Sequence, residues 1–98
     1  MDSVILNKKV QKALKKLPIH IVRNLQLWIF QVESLGMSEV RKIPGYHDEP
    51  LTGNRKGQRS ARLSKAYRAI YIEYEECLED KNEVTNIIEV IEVSKHEY

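Results

Sequence analysis

Between Gly53 and Ile72 there is no Asp or Glu, although acidic residues number 14 in this chain of 98. Six Lys or Arg fill the same stretch, so its formal charge is +6. Residues 1–52 carry +3 (8 basic, 5 acidic) and residues 73–98 carry −7 (2 basic, 9 acidic). A net charge of +2 conceals that polarity, and the arrangement says more about partners than the sum. Cysteine is almost missing: Cys77 stands alone, which rules out an internal disulfide. It has no Cys or His nearby, and His20, His47 and His96 are too far apart to form a ligand motif, so neither metal nor cofactor is expected. No segment approaches the roughly 20 apolar residues that cross a bilayer. The first residues, MDSVILNKKVQKALKKLP, contain no uninterrupted apolar run of the signal-peptide kind. The expectation is a cytoplasmic protein without a membrane partner. The glycines of GNRKG lack the Gly-x4-Gly-Lys-Ser/Thr spacing of a P-loop, so nucleotide-triphosphate chemistry has no support there.

What is present is enough for one core. The chain is 42% hydrophobic and 31% charged, unlike a disordered chain, and 98 residues make a single domain spanning 1–98. Leu6, Val10, Leu14 and Leu17 recur at helical spacing, with Asp2 or Ser3 as possible caps and lysines at 8, 9, 12, 15 and 16 mostly elsewhere on the wheel. After Pro18, a second stripe of Ile21, Leu25, Trp28 or Ile29, and Val32 runs toward Gly36, a suitable stop. Residues 37–54 show no sustained period, and their Pro and Gly residues predict a loop with one helical turn at most. Beyond it the period becomes two. Residues 59–64, 67–75 and 86–95 predict three strands joined by SKA and EDKNE turns. The expected fold class is α+β, an N-terminal helical hairpin packed on a small antiparallel sheet.

Strand parity decides where the cations point. An odd-length turn at 64–66 sets Arg62 opposite Arg68, with Ser60 and Ile70 on the same face and Ala61, Leu63, Tyr67, Ala69 and Tyr71 on the other. An even-length turn separates the two arginines. On the third strand, Ile87, Ile91 and Val93 are expected inward, and Val90, Glu92, Ser94 and His96 toward the arginines. Unpaired guanidiniums on one face repel each other, and their planar forks suit phosphate oxygens, which points to nucleic acid. The competing reading has the acidic C-terminal segment neutralise the hairpin across the sheet. GYHDEP, residues 45–50, reads as a polar turn, and Trp28 as core.

The block GNRKGQRSARLSKAYR, from Gly53 to Arg68, followed by an Ile-rich strand ending EVIEVSKHEY, resembles the HigB-like branch of the RelE/ParE toxin superfamily. The likeness covers the C-terminal half at motif level and the N-terminal half in architecture. It implies a RelE-like fold and a toxin of a type II toxin–antitoxin module, a ribosome-dependent, metal-independent endoribonuclease that cuts mRNA in the 30S A site. The chemistry implied is attack of a ribose 2′-hydroxyl on the adjacent phosphate. By the same resemblance Arg68 stabilises the transition state, Arg62 binds the scissile phosphate or stands in for a catalytic lysine, His96 serves acid–base chemistry, and Tyr98 stacks or relays a proton. Arg55, Lys56, Arg59 and Lys65 are expected to track the RNA backbone. Arg59 stands where some relatives carry His, so the general base is open. The partner implied is a cognate antitoxin, a HigA-like helix-turn-helix protein. Two other readings of the same residues are a ParE-like gyrase inhibitor and an RNA-binding module without activity.

Overall fold

The computed structural model describes residues 2–79 and 83–95; the expectations for His96 and Tyr98 lie outside them. Five strands form one sheet in the order β1-β5-β4-β3-β2: β1 is Asp2–Leu6, β2 Glu49–Pro50, β3 Arg59–Arg62, β4 Tyr67–Leu78 and β5 Glu83–Lys95. Helices α1 (Lys8–Ala13), α2 (Ile19–Leu35) and α3 (Met37–Val40) pack on one face. This is the expected α+β architecture, with helices on a small sheet.

The N-terminal residues depart from expectation. Residues 2–6 are a strand paired in parallel with β5, from Asp2 opposite Asn86 to Leu6 opposite Val90, so the sheet is mixed. Alternation explains it: Val4 and Leu6 pack against the core while Ile5 is exposed. The helix begins only at Lys8, and its cap is Asn7 instead of Asp2 or Ser3. Asn7 Oδ1 accepts from the Val10 N–H at 2.8 Å, and its amide donates to the Ile91 carbonyl at 3.1 Å, tying the cap to β5. Asp2 caps a different element, accepting from the Met37 N–H at 2.6 Å where α3 begins.

Helix α2 follows its apolar period. Ile21, Leu25, Trp28 and Val32 are buried at i, i+4, i+7 and i+11, and Trp28 packs on Tyr71 with ring centroids 5.4 Å apart. Gly36 ends it at φ 89°, a left-handed conformation that disfavours a side chain, while its N–H still reaches the Val32 carbonyl. The expected single helical turn beyond it is α3, whose Met37 and Val40 are buried.

The β3–β4 turn is odd. Ser64 Oγ accepts from the N–H groups of Ala66 and Tyr67, closing a turn that leaves Arg62 opposite Arg68 and Ser60 opposite Ile70. Ala61, Leu63, Ala69 and Tyr71 lie under the helices. On β5 the register slips between Ile70 and Tyr71: Ile70 faces Glu92, yet Tyr71 faces Val90, which leaves Ile91 as an extra residue. That bulge inverts the parity below it. Val90, expected beside the arginines, is fully buried in the core together with Ile88, whereas Glu92 and Ser94 do share the arginine face.

Candidate active site

Cross-strand pairing assembles the site from four strands, β2 to β5. Glu49 lies opposite Ser60, Ser60 opposite Ile70, and Arg62 opposite Arg68, which in turn faces Ser94. Directly paired residues share a face, so Glu49, Ser60, Arg62, Arg68 and Ser94 all look away from the helices. A cleft of about 40 Å³ opens among His47, Glu49, Ser60, Arg62, Ser64, Lys65, Tyr67 and Arg68. Its chemistry is two guanidiniums and an ammonium facing one carboxylate and one imidazole. His47 Nε2 sits 3.7 Å from Glu49 Oε2, and both side chains are more than half exposed.

Among the described residues neither Arg62 nor Arg68 has a carboxylate partner, and Arg68 Nε is buried without any hydrogen-bond acceptor. A buried donor left unpaired costs free energy, so Arg68 is held here without the acceptor that would offset that cost. Among the described residues the acidic C-terminal segment does not supply that acceptor, and Glu92, on the same face, is bonded to Arg55. Glu75 and Glu76 stand seven and eight residues beyond Arg68 on the same strand, roughly 23 Å or more away at strand rise. Glu73 is held instead by Arg41 Nη2 at 2.6 Å and Asn86 Nδ2 at 2.7 Å.

The other proposed backbone-tracking residues divide. Lys56 and Lys65 are exposed and without an ion pair among the described residues. Arg55 is half-committed: it bonds Glu92 Oε1 at 2.9 Å and Gln58 Oε1 at 2.8 Å. The hydrogen bond from Arg55 holds the Glu92 carboxyl below its ordinary range. Arg59 is turned away from the cleft. It shares parity with Ala61 and faces the helix side, where its Nε bonds Asp48 Oδ1 at 2.7 Å.

Asp48 is what sequence reasoning passed over. Its side chain is 1% exposed and receives Arg59, the Tyr71 hydroxyl at 2.5 Å, and Arg41 at 3.7 Å. Burial, and then the bond to Asp48, push the Tyr71 phenol well up, while Arg41 works the other way. Burial opposes the charge on Arg41, but its bonds to Glu73 and Tyr71 outweigh that and raise its pKa. Since alternate residues face opposite sides, an anchored Asp48 forces Glu49 to the cleft side, and His47, in a left-handed turn at φ 42°, lines the cleft too. The polar turn expected at 45–50 is thus a short 3-10 turn at Pro44–Tyr46, a buried ionic anchor and a two-residue edge strand. The available signal was three ionisable residues in a row ahead of a proline.

No helix among the described residues is long and apolar enough to cross a membrane. No protein-family model matches the chain, and no curated protein matches it by sequence. Solved structures do match over nearly the whole length. YafQ from E. coli strain BL21(DE3) superposes with a TM-score of 0.65 at 17% identity, covering 98% of this chain and 94% of that one. The YoeB/ParE toxin from Agrobacterium tumefaciens gives 0.64 at 16% identity over 97% and 99%. The toxin–antitoxin complex RelBE2 from Mycobacterium tuberculosis gives 0.61 at 18% over 96% of each chain. The chain has the fold of the RelE/ParE-type toxins, and these three neighbours, of the YafQ, YoeB and RelE kinds, do not single out the HigB-like branch.

Proposed function

We propose that this protein is the toxin of a toxin–antitoxin module, of the HigB-like branch, and that it cleaves mRNA on the ribosome. The observation that carries the reading is the cleft's charge state: Arg62 and Arg68 directly opposed, without a carboxylate partner among the described residues, with an orphaned Arg68 Nε. Such a cleft fits a phosphodiester. The reaction is attack of the ribose 2′-oxygen on the adjacent phosphorus, breaking the bond to the 5′-oxygen of the next nucleotide. A 2′,3′-cyclic phosphate and a 5′-hydroxyl remain. Arg68 stabilises the charge that builds on the non-bridging oxygens, and Arg62 seats the phosphate. The Glu49 carboxylate is the cleft's natural acceptor for the 2′-hydroxyl proton. His47, beside it, or His96 at the end of the same chain delivers a proton to the leaving oxygen. Tyr98 serves as a stacking partner, and Lys56 and Lys65 hold the strand. The toxin–antitoxin complex among the structural neighbours supports an antitoxin as physiological partner.

The test is controlled expression of the chain and of Arg68→Ala in a bacterial host, mapping mRNA 5′ ends alongside growth. The expected outcome is growth arrest with cuts inside translated codons, abolished by the substitution. Arrest with intact mRNA overturns this reading in favour of gyrase inhibition, and absence of arrest favours a binding module.

A further inference from the structure

A second depression adjoins the cleft and belongs to none of the chemistry above. It has a volume of about 290 Å³ and lies between α2 and the Pro44–Tyr46 turn, lined by Asn24, Leu27, Gln31, Tyr46, Leu63 and Arg62 together with Ile43 and Gly45. Arg62 borders both depressions. The reason is the shortness of β2, which pairs only with Arg59 and Ser60 and leaves the β3 edge beside Arg62 uncovered among the described residues.

The groove's polar atoms are fixed. Asn24 Nδ2 donates to the Leu63 carbonyl at 2.7 Å, which leaves Asn24 Oδ1 without a donor among the described residues. The Tyr46 hydroxyl donates to Gln31 Oε1, which leaves the Gln31 Nε2 hydrogens without an acceptor among the described residues. Asn24, Leu27 and Gln31 recur at i, i+3 and i+7, so one face of α2 supplies an amide acceptor, an apolar wall and an amide donor in a row. Leu27 is 53% exposed, a large apolar side chain without cover.

We infer that this groove is the subsite for an unpaired nucleobase next to the phosphate held by Arg62 and Arg68. Single-stranded RNA is read by splaying bases into apolar slots where amides meet their donor and acceptor edges. The groove offers such a slot, at the low end of small-ligand pocket sizes, roughly 300 Å³. The shared guanidinium sets its occupant: a base attached to a bound phosphate reaches it without the strand leaving the cationic cleft, whereas an uncharged peptide has no use for Arg62. The inference rests on the ribonuclease reading and names the part of the substrate that the cleft itself does not hold.

The experiment is anisotropy titration of a short single-stranded RNA with a 2′-deoxy nucleotide at the scissile position, which blocks cleavage. An abasic residue is moved along it one position at a time, against the wild-type protein, Gln31→Ala and Leu27→Glu. Position 27 is surface-exposed, so the second variant retains its fold where the first could lose a turn contact. The expected result is a loss of roughly 5- to 100-fold in wild-type affinity at one position flanking the deoxy nucleotide, the range of a single stacked base. In both variants the same abasic site costs nothing further. A penalty equal in wild type and variants overturns the subsite, as does no penalty anywhere while Arg68→Ala still weakens binding of the intact RNA. If Arg68→Ala binds the intact RNA as the wild type does, the cationic-cleft reading fails and the subsite with it.

Discussion

Two pairs of arginines flank the sheet, one on each face, and they live in opposite circumstances. On the helix side, Arg41 and Arg59 converge on Asp48, with Tyr71 and Glu73 completing the network. On the open side, Arg62 and Arg68 stand directly across from each other, and among the described residues neither is ion-paired to a carboxylate. Arg59 and Arg62 are three residues apart in sequence, so their difference comes from strand parity alone. A neutralised pair fixes the position of a loop, while an uncompensated pair repels itself and lowers the stability of the empty protein. Like charges set opposite each other across strands are destabilising, and a fold that keeps them does so for an anionic ligand.

The helix-side network is the place to break the comparison hardest. Asp48→Ala leaves Arg59 without its close carboxylate and is expected to cost about 3–5 kcal/mol, the range for removing one partner of a buried ion pair. Urea unfolding measures it. A loss below about 1 kcal/mol would make the network no different from exposed pairs and erase the contrast. Because Asp48 anchors the segment bearing His47 and Glu49, RNA cleavage should fall with it. Asp48→Asn, which keeps an acceptor for the Tyr71 hydroxyl, should recover part of both losses.

The open side behaves in the reverse way. Arg68→Ala should lower the cleavage rate in a ribosome-programmed assay by about 10²–10³-fold, the usual effect of losing one transition-state donor. Its melting temperature should hold or rise, since the repulsion with Arg62 disappears. A lowered melting temperature would mean that Arg68 is structurally compensated after all.

Apolar residues at 61, 63, 67, 69 and 71 suggested a buried side, but the sequence left an even-length turn open, and it is the Ser64 bonds closing an odd turn that put Arg62 opposite Arg68. The same count places Arg59 on that buried side, two residues before Ala61, and a basic residue there demands a carboxylate. The α2 stripe and its stop at Gly36 were legible because a long element repeats its period often enough to be unambiguous. Short elements do not. Leu6 fits a helical series with Val10 and Leu14 while closing a strand, and only the tertiary bonds of Asn7 to β5 decide between the two. Two-residue β2 has no period at all, so the split of Asp48 inward and Glu49 outward could not be read. The bulge at Ile91 carries no local signature in IIEVIEVS, and it moved Val90 from one face to the other.

A weaker distinction separates free lysines from the bonded Arg55. Lys56→Ala and Lys65→Ala should each flatten the dependence of log affinity on log salt by about 0.7 for single-stranded RNA. Arg55→Ala should flatten it less, because Glu92 already neutralises that guanidinium. Equal slopes for all three would show that RNA displaces Glu92.

The smallest effect concerns that same pair and its pH dependence. Glu92 is held below the ordinary carboxylate range, first by the hydrogen bond from Arg55, so its folded-state pKa lies beneath its unfolded one. In acid the unfolded chain therefore binds the proton first. The stability the pair contributes is fully present above the unfolded pKa and disappears as pH falls through the folded one. Glu92→Gln should consequently be less stable than the wild type at neutral pH by no more than about 1 kcal/mol, the value of a partly exposed pair. The two proteins should converge as pH falls below the ordinary carboxylate range. Burial pushes the Glu73 carboxyl up, but the bonds from Asn86 and Arg41 together outweigh it and leave the group depressed, so Glu73→Gln should converge in the same direction. Denaturant midpoints measured from neutral to acid pH give the answer. A Glu92→Gln difference that persists unchanged in acid would mean that its carboxylate contributes through packing, leaving Arg55 as free for RNA as Lys56 and Lys65.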